Sequence, residues 1–79
     1  MKKICLVTGS TSGIGLAVAQ KLSRSNIVII NDYKPLPKDF ISNNFKKPEN
    51  VIFYKCDISK KDEILEMRKF ILDKFGRLD

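Results

Sequence analysis

Apolar residues along this chain fall into three short unbroken runs and two helical stripes. The runs are Ile4-Cys5-Leu6-Val7, ending at Thr8-Gly9; Ile27-Val28-Ile29-Ile30, closing at Asn31-Asp32; and Val51-Ile52-Phe53-Tyr54, continuing into Lys55-Cys56. Runs without polar alternation predict parallel strands covered on both faces. Between the first two, Ile14, Ala17, Val18 and Leu22 recur at spacings of three and four with Ala19 beside them. That predicts a helix with Gln20, Lys21, Ser23 and Arg24 on its polar side, ended by Ser25-Asn26 with Asn26 as a left-handed cap. After the third run, Ser59 stands as an N-cap with Asp62 in a capping-box-like position. A helix over residues 60–75 then buries Ile64, Leu65, Met67, Ile71, Leu72 and Phe75, and Gly76 stops it. Residues 33–50 hold Pro35, Pro37, Pro48 and Asn43-Asn44 and read as a loop with a short helix near 38–45. The order strand, helix, strand, loop, strand, helix is that of an α/β parallel sheet in one small domain.

The chemistry concentrates at the first strand-to-helix turn, Gly9-Ser10-Thr11-Ser12-Gly13-Ile14-Gly15. Glycines there let backbone approach a ligand and let the helix lie close on the sheet. The helix start offers N–H groups and the positive end of its dipole to a diphosphate. A glycine turn alone is a weak signal. It gains weight from the strand before it, the helix after it and an acid, Asp32, at the end of the next strand. A carboxylate there accepts hydrogen bonds from the ribose hydroxyls of NAD and repels the 2′-phosphate of NADP. No basic residue occupies the turn, which favours NAD, while Lys34 nearby argues the other way. A phosphate-loop nucleotidase is excluded: only three residues separate Gly9 from Gly13, and Ile14 replaces the required lysine.

Composition narrows the classes further. With 43% hydrophobic and 30% charged residues the chain is ordinary for a globular protein, so general disorder is not expected. The net charge of +6 raises nucleic acid as a partner, but the pairs Lys2-Lys3, Lys46-Lys47 and Lys60-Lys61 are scattered and form no basic face interleaved with aromatics. A solvated surface is the better reading, with no nucleic-acid and no membrane partner. The first apolar run is too short for a signal peptide or a span, so a cytoplasmic location is expected. The chain has no histidine, and Cys5 and Cys56 lack metal-ligand spacing, so no metal site is expected.

Thr8-Gly9-Ser10-Thr11-Ser12-Gly13-Ile14-Gly15 resembles the Thr-Gly-x-x-x-Gly-Ile-Gly cofactor motif of the short-chain dehydrogenases/reductases. Cys56-Asp57-Ile58-Ser59 resembles the segment after that family's third strand, and Phe75-Gly76-Arg77-Leu78-Asp79 its lead-in to a fourth. The resemblance implies a partial Rossmann fold with three parallel strands in the order 3-2-1, stopping before the fourth. It also implies a dinucleotide cofactor, NAD ahead of NADP, held by Gly9, Ser10, Ser12, Gly13, Ile14, Gly15 and Asp32, with Asp57 on the adenine amino group and Ile58 beside the ring. Read without the family, Asp57 is equally a helix-start acid favoured by the dipole. The family's Asn-Asn-Ala-Gly segment, catalytic serine and Tyr-x-x-x-Lys pair are absent from residues 1–79, and Tyr33 and Tyr54 have no lysine four residues on. No catalytic residue is therefore assigned. The expectation is the cofactor-binding opening of such an oxidoreductase, inactive alone, with the catalytic and substrate-binding part absent. The alternative is a nucleotide-binding module completed by a partner chain. The exposed edge of the first strand motivates that alternative, and equally self-association.

Overall fold

Ile29 and Ile30 are both fully enclosed although their side chains point to opposite faces of the same strand, and that fixes the architecture. The computed structural model describes residues 2–79. Three strands, β1 (Ile4–Thr8), β2 (Ile27–Asp32) and β3 (Val51–Lys55), form one parallel sheet with β2 in the centre. The register pairs Ile4 with Ile27 and Val7 with Ile30, then Val28 with Val51 and Asp32 with Lys55. The partial Rossmann arrangement read from the sequence is thus the observed one.

Each face has its own core. On one, Ile4, Ile29 and Cys56 meet Met67 and Ile71 of α3 (Lys61–Phe75). On the other, Val28, Ile30 and Val51 meet Ala19 of α1 (Gly13–Leu22) and Phe45, which follows α2 (Phe40–Asn44). Cys5 packs with the second core and Cys56 with the first, and both are free thiols. Residues 33–50 are more than a connection: Leu36, Phe40, Ile41 and Phe45 cover the α1 face of the sheet, and Gln20 Nε2 donates to the Asn44 carbonyl at 2.7 Å.

Several local expectations are corrected. The buried stripe of α1 is Leu16, Ala19 and Leu22, whereas Ile14 is 85% exposed and Ala17 and Val18 also face outward. The phase is set by Gly15, whose α-carbon lies so close to the turn that a β-carbon there would fall 2.4 Å from the Gly9 carbonyl oxygen. Positions 15, 19 and 22 then share the inner side. The helix ends at Leu22 with Ser23 as its cap in right-handed conformation; Asn26 is not left-handed but donates through Nδ2 to the Leu22 carbonyl at 3.2 Å. Ser59 does not cap α3, which starts after Lys60 without a side-chain cap, because its hydroxyl is bound to Asp57. On α3, Ile64, Leu65 and Leu72 are exposed; Met67, Ile71 and Phe75 pack inward as expected, and Phe70 joins them. Gly76 stops the helix as expected, in left-handed conformation with its N–H on the Leu72 carbonyl.

Among the described residues, Asp79 pairs with the outer edge of β1. Asp79 N–H donates to the Ile4 carbonyl at 2.8 Å, and Ile4 N–H donates to Asp79 Oδ2 at 2.8 Å. The Arg77 guanidinium holds the other carboxylate oxygen.

Candidate dinucleotide site

The site forms where β1 and β2 end. Because Thr8 pairs with Asn31, Gly9 leaves β1 beside Asp32, the last residue of β2. Gly9 and Gly13 adopt φ of +59° and +60°, values that L side chains rarely take, so these two glycines give the turn its shape. A β-carbon on either would meet only open space, so the surface above the turn is clear for a ligand.

Ser10 locks the turn to the sheet. Its side chain is fully buried; the hydroxyl donates to the Val7 carbonyl at 2.7 Å and accepts from Asn31 N–H at 3.0 Å. Its own N–H donates to the Asn31 carbonyl. The Ser10 hydroxyl proton and backbone N–H are thus both engaged inside the fold. Ser12 precedes α1 in extended conformation, and its hydroxyl makes no capping bond. The first N–H groups of a helix have no intrahelical acceptor, so this end of α1 presents Gly13, Ile14 and Gly15 amides with the positive end of the dipole.

Asp32 stands across from that turn. Oδ2 accepts a hydrogen bond from the Thr11 hydroxyl, and Oδ1 accepts one from Lys34 N–H at 3.2 Å. The Thr11 bond holds the carboxyl below its ordinary value; the backbone N–H groups of Lys34 and Tyr33 and the Lys34 charge add to this, against a smaller opposing effect of burial. Asp32 is an anion at neutral pH. The Lys34 ammonium lies over the Tyr33 ring, 5.3 Å from its centre.

Beyond β3 the chain turns at Asp57. Its Oδ1 accepts from the Ser59 hydroxyl at 2.6 Å and Ser59 N–H at 2.9 Å, and these bonds lower its pKa. Asp57 N–H donates to Glu63 Oε1 at 3.1 Å, so it is Glu63 that reaches back across the turn before α3. Gly9, Asp32, Asp57 and Ile58 come together around one depression of about 140 Å³, with Asn31, Tyr33 and Cys56 completing its wall. Ile58 keeps 54% of its surface exposed there, an apolar plate beside two carboxylates. Ser12, Gly13, Ile14 and Gly15 do not line this depression; they form the adjoining turn.

Two residues of the site escaped the sequence. Thr11 is one, since nothing in a Ser-Thr-Ser stretch says which hydroxyl turns toward Asp32. Asn31 is the other: almost wholly buried, its Nδ2 donates to the Tyr54 carbonyl at 3.0 Å and the Cys56 carbonyl at 3.2 Å. It ties the end of β3 to β2 and so brings Asp57 beside Asp32. A carboxamide at the end of a run of four apolar strand residues was the available signal.

The parts suit a dinucleotide: an open amide-lined turn for the diphosphate, a carboxylate for ribose hydroxyls, and a depression with an acid and an apolar plate for a base. Among the described residues no helix is long and apolar enough to cross a membrane.

A sequence model of the short chain dehydrogenase family matches residues 3–79. The chain is 32% identical over 81 residues to a diacetyl reductase [(S)-acetoin forming] of Staphylococcus epidermidis, covering 100% of this chain and 32% of that protein. Among solved structures it is similar to ElxO with NADP bound, with a TM-score of 0.92, 34% identity, and coverage of 100% of this chain and 33% of that one. It is also similar to the NADH-dependent reductase A1-R′ complexed with NAD, with a TM-score of 0.83, 28% identity, and coverage of 99% and 34%. The chain therefore spans about a third of the length of these relatives.

Proposed function

Since this chain belongs to the short-chain dehydrogenase family, an oxidoreductase family that binds NAD(P), we propose that residues 1–79 are the cofactor-binding opening of such an oxidoreductase and that the cofactor is NAD. The single observation that carries the choice of NAD is Asp32, an ionised carboxylate at the end of β2 facing the turn, with one hydrogen bond on each oxygen. Each oxygen keeps acceptor capacity for a ribose hydroxyl, whereas a 2′-phosphate would meet a like charge.

In this reading Gly9, Gly13, Ile14 and Gly15 face the diphosphate through backbone, Asp32 takes the adenosine ribose, and Asp57 and Ile58 hold the adenine. Ser10 and Asn31 keep those groups in place, and Ser12 lines the turn. Bound NAD supplies the hydride-transfer chemistry. The chain's contribution is binding and orientation, because residues 1–79 contain no Tyr-x-x-x-Lys pair to move the substrate's proton. The 79-residue chain alone is accordingly expected to bind NAD and to turn over no alcohol or ketone. Calorimetric titration with NAD⁺ and NADP⁺, with and without Asp32→Ala, tests this. Tighter binding of NAD⁺, lost in the variant, is expected; equal or tighter binding of NADP⁺ contradicts the choice of NAD.

A second reading has support from the β1 edge. Asp79 already lies against Ile4 through backbone as a first strand residue would, while the edge from Cys5 to Thr8 continues beyond it. A partner chain carrying the remaining strands could add there. Co-expression with a catalytic half from a family member, followed by size-exclusion chromatography and assay, tests it; a complex with NAD-dependent turnover is the expected outcome, and two separate inactive species the opposing one.

A further inference from the structure

The Thr11 hydroxyl is the one side chain of the turn that reaches β2 at Asp32. Thr11 sits between Gly9 and Gly13, in the middle of the segment those two left-handed glycines shape, so its hydroxyl joins the diphosphate side of the site to the ribose side. On its other oxygen the Asp32 carboxylate accepts from Lys34 N–H, with the Tyr33 N–H also close by, so Thr11 supplies its one side-chain hydrogen bond among the described residues. Bonds on both oxygens fix the plane of the carboxylate; with the Thr11 bond gone, rotation about the Cβ–Cγ bond and a swing of the side chain become free. There is room for such a swing, because Asp32 itself lines a second hollow of about 210 Å³, together with Thr11, Lys34, Pro35, Leu36, Pro37 and Phe40.

We propose that Thr11 is a positioning residue for cofactor choice: its hydroxyl pins the Asp32 carboxylate toward the ribose and so keeps NADP out. The inference rests on the dinucleotide reading of the site. Without the hydroxyl, Asp32 is free to turn within the hollow that it shares with Lys34, and its charge no longer stands fixed against a 2′-phosphate. Thr11 therefore acts with opposite sign on two ligands that differ by one phosphate group. A residue that merely supports the turn would weaken both alike.

The test is calorimetric titration of the 79-residue chain and its variants with NAD⁺ and with NADP⁺. Thr11→Val keeps the shape of the side chain and removes the donor; it is expected to weaken NAD⁺ by about tenfold, the usual size for losing a hydrogen bond to a charged group, while NADP⁺ stays unchanged or tightens. Thr11→Ser keeps the donor and should retain the wild-type ratio. If Thr11→Val does not fold, Thr11→Ala carries the same comparison with no added bulk. A variant that weakens both ligands by one factor, or neither, overturns the role of Thr11 and leaves the site standing. A wild-type chain that binds neither dinucleotide overturns the site and this inference together.

Discussion

Both ends of the parallel sheet carry polar side chains, and the fold uses them differently. At the amino ends of the strands these groups satisfy one another. Lys3 N–H donates to Asn26 Oδ1, Lys2 Nζ to Asn50 Oδ1, Asn50 Nδ2 to the Ser23 carbonyl, and Asp79 brackets Ile4 through backbone and side chain. At the carboxyl ends the bonds stop short. The glycine turn offers N–H groups with no cap, and Asp32 and Asp57 are oriented by neighbours while keeping acceptor capacity. The comparison teaches where to look for function in such a sheet: at the end where hydrogen bonding is arranged but incomplete.

Substitutions at the two ends should separate along the same line. The largest effect is expected from Gly15→Ala, because the added carbon meets backbone of Gly9 rather than a flexible side chain. A loss of about 3 kcal/mol or more of stability is expected, together with loss of NAD⁺ binding, since here the fold and the site are the same atoms. Urea denaturation with a parallel titration measures both. At the amino end, Asn50→Ala leaves the Ser23 carbonyl and Lys2 without their partner; it should cost about 1–3 kcal/mol while NAD⁺ affinity per folded molecule stays unchanged. An affinity that falls with it would break the division between the ends. Asp32→Ala should show the reverse, roughly tenfold weaker NAD⁺ with stability nearly unaltered.

The smallest effect concerns acid. Asp32 is lowered chiefly by Thr11, and Asp79 by Arg77 and then by Ile4 N–H, both from an ordinary value of 3.8. A folded-state pKa below the unfolded one means that the unfolded chain binds more protons between the two, so stability rises with pH across that window. The contribution is complete above the ordinary value and is lost as pH falls through the lowered one. Thr11→Val and Asp79→Asn should each move the acid-unfolding midpoint to higher pH, read by circular dichroism.

Much of this was legible in the residues. Strands covered on both faces announce themselves as apolar runs, and the order of elements then leaves little freedom in the sheet. The position of Asp32 beside Gly9 follows from two runs of equal length in parallel register. Helix faces were harder. On α1 two apolar sets overlap, Ile14-Ala17-Val18 and Leu16-Ala19-Leu22, and hydrophobicity cannot choose between them. The choice belongs to Gly15, whose contact with the Gly9 carbonyl rotates the helix, and a third glycine in the motif was the clue. On α3 the same counting placed Leu65 and Leu72 inside, although Met67 and Ile71 alone reach full burial. Side-chain hydrogen bonds were least legible: the Ser59 hydroxyl fits a cap by spacing and bonds to Asp57 in the fold.

The central claim is that the carboxyl end of the sheet is the ligand face, and amide chemical-shift mapping of the ¹⁵N-labelled chain during titration with NAD⁺ tests it most directly. Saturable shifts are expected at Gly9, Gly13, Ile14, Gly15, Asp32, Asp57 and Ile58, with Lys3, Asn26, Asn50 and Asp79 unmoved. Shifts confined to the amino-end residues, or no saturable shift at any amide, would contradict it.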